Sequence, residues 1–171
     1  MNEKTFVALQ YLLPKQWLTQ LAGAVARARC GHWTHALIKW FVGKYQVNMD
    51  EAAQPDITQY ACFNDFFTRA LKPGARPLAD AAFVCPVDGA ISQLGRIEGD
   101  QVFQAKGHSY STQALVGGDA TLAAQFQDGE FATIYLSPKD YHRIHMPSAG
   151  RLRRMIPVSY THLTLPTICS V

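Results

Sequence analysis

The spacing of apolar residues changes once along this chain, and the change restricts the fold to helices followed by a sheet. Before Tyr45 the large apolar residues recur every three or four positions, as one helix face requires. From Ala82 onward they fall in short runs separated by turn pairs, as strands require. Between the two lies Lys72-Pro73-Gly74-Ala75-Arg76-Pro77-Leu78, which cannot be regular structure and reads as a turn-rich connector.

The first part predicts three stripes. Phe6, Leu9 and Leu13 share a face that Pro14 interrupts. Trp17, Leu18, Leu21 and Val25 form the second, with Gly31 as its stop. Trp33, Leu37, Trp40, Phe41 and Tyr45 form the third. Such stripes pack a core or lie on a membrane, where tryptophan and lysine both suit the headgroup boundary. Glu3 is the only acid before Tyr45, against Lys4, Lys15, Arg27, Arg29, Lys39 and Lys44, which favours an anionic surface as partner. The whole-chain net charge of +3 is too small to argue for nucleic acid, and none is expected. No run is long enough to span a bilayer.

Gln54 to Gln59 reads as a polar linker, and Phe63 to Arg69 as a short helix. Strands are expected over Phe83 to Val87, Ala90 to Ile97, Gln101 to Ala105, Phe131 to Leu136 and Arg151 to Val158. Short helical pieces are expected over Thr112 to Leu115 and Thr121 to Phe126. Ser137-Pro138-x-Asp140 reads as a helix start capped by Ser137. The fold class is therefore α+β: an amino-terminal helical membrane-binding region followed by an incomplete, mostly antiparallel β domain. Its parts are a helical membrane-associating region (1–46), a linker with a short helix (47–77), a partial β-rich catalytic domain (78–158) and a tail (159–171).

His142 and His145 lie three apart next to Arg143, and Asp88 lies upstream in Pro86-Val87-Asp88-Gly89. Imidazoles can act as base and proton donor, and a carboxylate can hold an imidazole in one tautomer. Each has a plain alternative: hydrogen-bonded structural histidines, and Asp88-Gly89 as a hairpin turn. A paired-histidine metal site would need further ligands such as His108 or Asp88, which no spacing supports. The four cysteines form no Cys-x-x-Cys pair. The loop Lys106-Gly107-His108-Ser109-Tyr110-Ser111 could hold a phosphate or carboxylate, or be solvated.

Several ordered motifs carry a resemblance: Phe63-Asn64-Asp65-Phe66-Phe67-Thr68-Arg69, Lys72-Pro73-Gly74-x-Arg76-Pro77, Pro86-Val87-Asp88-Gly89, Ala105-Lys106-Gly107-His108-x-Tyr110-Ser111, and Tyr135-Leu136-Ser137-Pro138-x-Asp140-Tyr141-His142-Arg143-x-His145-Met146-Pro147. In this order they resemble the phosphatidylserine decarboxylase family, and Leu9-Gln10-Tyr11-x-Leu13-Pro14 resembles its bacterial membrane-associated form. The resemblance implies a proenzyme in which a serine of a Leu-Gly-Ser-Thr-type motif attacks its own preceding peptide bond and becomes a pyruvoyl group. It assigns Asp88 and His145 to that self-cleavage and His142 to the later decarboxylation. It further implies phosphatidylserine as substrate, phosphatidylethanolamine and carbon dioxide as products, and a small pyruvoyl subunit as partner. The place would be the cytoplasmic side of the cell membrane.

The pattern stops after Val158, and the cleavage motif does not occur in these residues. The tail resembles adapter or vector sequence, so Ser159 and Ser170 are not expected nucleophiles and His162 is not an expected ligand. The chain alone is expected to be inactive, with exposed strand edges. The alternatives are a peripheral membrane-binding module without catalysis, and a metal-dependent hydrolase built on His142, His145 and Asp88.

Overall fold

The computed structural model describes residues 15–99, 101–104, 108–151 and 153. The stripe at Phe6 to Leu13, the tail and most of the strand expected over 151–158 lie outside these residues. The elements in order are α1 (Lys15–Arg27), α2 (His32–Tyr45), a 3₁₀ turn (Ile57–Gln59), α3 (Phe63–Phe67), β1 (Ala90–Arg96), β2 (Gln101–Gln104), β3 (His108–Ser111), α4 (Thr112–Leu115), α5 (Ala120–Ala124) and β4 (Glu130–Tyr135). The chain is α+β, and no described helix is long and apolar enough to cross a membrane.

Thr34 ties α1 to α2. Its hydroxyl accepts from the Cys30 amide at 3.1 Å and donates to the Ala28 carbonyl at 3.3 Å. Gly31, at φ 52, supplies the left-handed residue that the sharp reversal needs. The third stripe is split by the fold. Ile38 is fully buried and Phe41 and Val42 pack beside it, whereas Trp33 and Trp40 are 82% and 58% exposed. The face of α1 carrying Trp17, Leu18, Leu21 and Val25 is exposed as well.

Ile38 shares its core with Val47, Tyr60 and Phe66. Residues 47–67, read as a linker with a short helix, thus supply most of that core. Asp56 caps the 3₁₀ turn by accepting from the Thr58 amide at 2.9 Å, and the Tyr60 hydroxyl donates to the Gln54 carbonyl at 2.6 Å. Phe41 meets Phe63, Phe66 and Phe67 edge-on, with centroids 5.0, 5.9 and 6.1 Å away. This geometry favours aromatic pairs beyond their buried area.

The connector turns where its sequence says it should. The Ala75 amide donates to the Lys72 carbonyl at 3.1 Å, with Gly74 at φ 79. The strands pair differently from consecutive hairpins. β1 lies antiparallel to β4, from Ala90 opposite Tyr135 to Arg96 opposite Glu130, with an irregularity between Ile91 and Gln93. Among the described residues, β2 pairs with β3.

Three local readings are corrected. Asp88-Gly89 is not a hairpin turn but the entry into β1. Gly89 has φ 150, and a Cβ there would sit 2.6 Å from the Tyr135 carbonyl oxygen, so the close approach to β4 requires glycine. Ser137-Pro138-Lys139-Asp140 is a turn, not a helix start. The Asp140 carboxylate accepts from the Ser137 amide at 2.6 Å, and the Asp140 amide donates to the Ser137 carbonyl at 2.9 Å. With the turn closed on itself, the chain continues without helix through residues 141–147. The expected polar loop at 106–111 is strand β3 from His108 onward.

Candidate active site

Residues 84–86 form no regular strand, yet they pair with residues 145–147. The Val84 amide donates to the Pro147 carbonyl at 2.8 Å, and the His145 amide donates to the Pro86 carbonyl at 2.8 Å. Asp88, Arg143 and His145 line one cavity of about 940 Å³, together with Arg76, Tyr141 and Cys85. Asp88 and His145, far apart in sequence, therefore border the same cavity.

Asp88 is held by Arg76. Nε of Arg76 donates to the two carboxylate oxygens at 3.1 and 2.9 Å, and Nη2 donates to Oδ2 at 2.6 Å. The same Nη2 reaches Glu51 at 2.7 Å. Both carboxylates hold the Arg76 guanidinium in its charged form more firmly than usual. The side chains of Arg76 and Asp88 are 43% and 26% exposed, so the pair stabilises the fold by about 0–1 kcal/mol. Its main effect is on orientation.

His145 is exposed, with Nε2 3.1 Å from the Tyr141 hydroxyl and the two rings stacked at 5.5 Å. Tyr141 is buried, so it fixes one edge of that imidazole. Among the described hydrogen bonds, none joins His145 to Asp88.

His142 points elsewhere and is not among the cavity-lining residues. It is half-buried against Phe67, with ring centroids 4.0 Å apart. Its Nδ1 lies 2.8 Å from the Asp140 carbonyl oxygen. A carbonyl only accepts, so Nδ1 carries the proton and Nε2 is the open nitrogen of the neutral ring. Burial lowers the pKa of this imidazole, the Asp140 carbonyl opposes that shift, and Arg69 adds to it. The neutral ring is thus favoured in the folded state. Its contribution to stability is complete above the unfolded value of about 6.5 and declines as pH falls below it. The urea midpoint is expected to drop between about pH 7.5 and about pH 5.5, and His142→Gln to drop less.

The helix α3 braces this segment. Arg143 Nε donates to the Thr68 carbonyl at 2.7 Å, and Arg69 Nη2 donates to the Lys139 carbonyl at 3.2 Å. Arg69 is 4% exposed, with its guanidinium 5.5 Å over the Phe66 ring. The Phe63 to Arg69 motif therefore carries the histidine segment as well as packing the core. Sequence reasoning missed Arg76, Glu51, Tyr141 and Arg69 as site residues. The Phe63 to Arg69, Arg76-Pro77 and Asp140-Tyr141-His142 motifs contained a signal for Arg69, Arg76 and Tyr141, but none for Glu51.

Among the described residues, no group of three His, Cys, Asp or Glu side chains could hold a metal ion. The metal-hydrolase alternative has no ligand set there.

The profile of the phosphatidylserine decarboxylase family matches residues 63–165, more than half of the chain. The chain belongs to the phosphatidylserine decarboxylase family. A second profile, described as PSD, matches residues 5–46. Among curated relatives, the phosphatidylserine decarboxylase proenzyme of Acidovorax ebreus (strain TPSY) is 70% identical over 155 residues, covering 91% of this chain and 55% of the relative. Proenzymes of the same description from Methylibium petroleiphilum and Herminiimonas arsenicoxydans are 69% and 68% identical over 158 residues, covering 56% and 54% of those relatives. The chain thus spans about half the length of the curated relatives it matches.

Proposed function

We propose that this chain forms the front part of a self-cleaving, pyruvoyl-dependent phosphatidylserine decarboxylase. The observation that carries the proposal is the convergence of Asp88 and His145 on one cavity through the pairing of residues 84–86 with 145–147. An imidazole and a carboxylate bordering one cavity are the base and the orienting group that can activate a hydroxyl, so the residues present fit the formation of the group. His145 takes the proton of a serine supplied by the downstream half, and Asp88 stabilises the charged ring that results. The pyruvoyl group, once formed, supplies a carbonyl that acts as the electron sink for loss of carbon dioxide. His142 then returns a proton to the substrate carbon. The folded state favours the neutral ring, so His142 first takes up a proton on its open Nε2 and then donates it.

The substrate is a lipid, and the outer surface of the helices fits one. Trp17, Leu18, Leu21, Trp33 and Trp40 are exposed on α1 and α2, with Arg27, Lys39 and Lys44 on the same two helices. Aromatic rings and snorkelling cations suit the headgroup layer of an anionic bilayer, on its cytoplasmic side. Trp33→Ala with Trp40→Ala is expected to weaken co-sedimentation with phosphatidylserine-containing vesicles about a hundredfold or more, since each lost ring removes about 1.5–3 kcal/mol of burial. Binding should also fall with added salt.

The enzymatic proposal is tested in a joined proenzyme, in which residues 1–158 continue into the downstream half of the Acidovorax ebreus relative. It should split into two bands and release carbon dioxide from phosphatidylserine micelles. Vesicle binding with neither cleavage nor turnover would instead favour a membrane-binding module.

A further inference from the structure

We propose that Arg76 is a positioning residue for self-cleavage, holding Asp88 in the orientation from which it can receive the His145 imidazole. The inference rests on the reading of Asp88 and His145 given above. The guanidinium does not share itself evenly over the carboxylate. Oδ2 takes two contacts, at 2.9 and 2.6 Å, whereas Oδ1 takes only the longest, at 3.1 Å. A carboxylate has about four acceptor directions, so Oδ1 keeps capacity for a further donor. His145 lines the same cavity and carries such a donor when protonated.

Arg76 is itself fixed from behind. Its Nη2 is held by Glu51, and its Nη1 donates to the Ala75 carbonyl at 2.8 Å. Glu51 sits on a short backbone pairing: the Lys72 amide donates to the Glu51 carbonyl at 2.8 Å, and the Ala53 amide to the Ala70 carbonyl at 2.9 Å. The turn at Lys72 to Ala75 then delivers Arg76 to the cavity. A planar fork anchored at several points fixes a carboxylate's direction; a lysine in its place supplies charge without the fork.

The test uses the joined proenzyme and follows band splitting with time. Arg76→Ala should slow cleavage about a hundredfold, the scale expected of a misplaced reacting group. Arg76→Lys should recover part of the loss, and added guanidinium ion should accelerate Arg76→Ala with saturation. Asp88→Asn is the reference, and guanidinium should not rescue it. Parent-rate cleavage in Arg76→Ala would overturn the proposal. So would a slow variant that neither lysine nor guanidinium restores, because that is the behaviour of a structural strut. If Arg76→Ala does not fold, Arg76→Gln replaces it, and failure of both to give a melting transition would also overturn the proposal. If Asp88→Asn cleaves at the parent rate, the assignment of Asp88 itself fails, and the role of Arg76 falls with it.

Discussion

Asp88→Asn in the joined proenzyme is expected to leave one uncut band under conditions in which the parent divides fully. The amide keeps the shape of the carboxylate but loses the charge that stabilises an imidazolium. It also places a donor group against the donors of Arg76 Nε and Nη2. Loss of the carboxylate that supports the His145 base costs on the order of a hundredfold to ten-thousandfold, enough to remove the cut within an ordinary incubation. His145→Ala should fail to the same degree. Groups that act as a unit are not additive, so the double variant should be no slower than the worse single one. His142→Ala should still divide but turn over poorly. Its ring packs at a tilt against Phe67 and its Nδ1 bonds to the Asp140 carbonyl, outside the cavity that Asp88 and His145 share. Failure of His142→Ala to divide would contradict that division of labour.

The second large effect concerns a residue remote from the chemistry. Phe66→Ala is expected to destabilise the chain by about 3–5 kcal/mol, against a net stability of about 5–15 kcal/mol for an ordinary domain. Phe66 is fully buried and touches Phe41, Tyr60 and Phe63 edge-on or tilted, so the space it leaves cannot close easily. Its loss also removes the ring beneath the Arg69 guanidinium and loosens α3, which braces Lys139 and Arg143. Denaturant unfolding should therefore show an early midpoint, and self-cleavage should fall in parallel. Phe83→Ala is the contrasting control: that ring is 75% exposed, and its loss should change stability by about 0.5 kcal/mol or less.

These effects mark what local pattern in the sequence can and cannot reveal. The helices α1, α2 and α3, the turn at Gly74 and the strand at Ala90 follow from spacing and turn chemistry, which act between near neighbours. The choice of buried face did not follow, because Trp40 and Phe41 are both apolar and only the arrival of α3 decides that Phe41 goes in. The pairing of β1 with β4 rather than β2 is equally non-local. Gly89 reads as half of a hairpin until the Tyr135 carbonyl is brought against it. Asp88, His145 and His142 could be proposed from residue type and resemblance. Arg76 and Tyr141 could not be given roles, because an ion pair across the connector and a hydroxyl beside an imidazole have no sequence period. The register between residues 84–86 and 145–147 brings Asp88 and His145 to one cavity, and it became visible only in three dimensions.

A structure of the uncut Asp88→Asn joined proenzyme would test that register most directly. The account predicts the downstream serine Oγ within hydrogen-bond reach of the His145 imidazole, about 2.6–3.2 Å, inside the cavity bordered by residue 88 and Arg76. A serine lodged against a different surface, with His145 still bonded only to Tyr141, would contradict it.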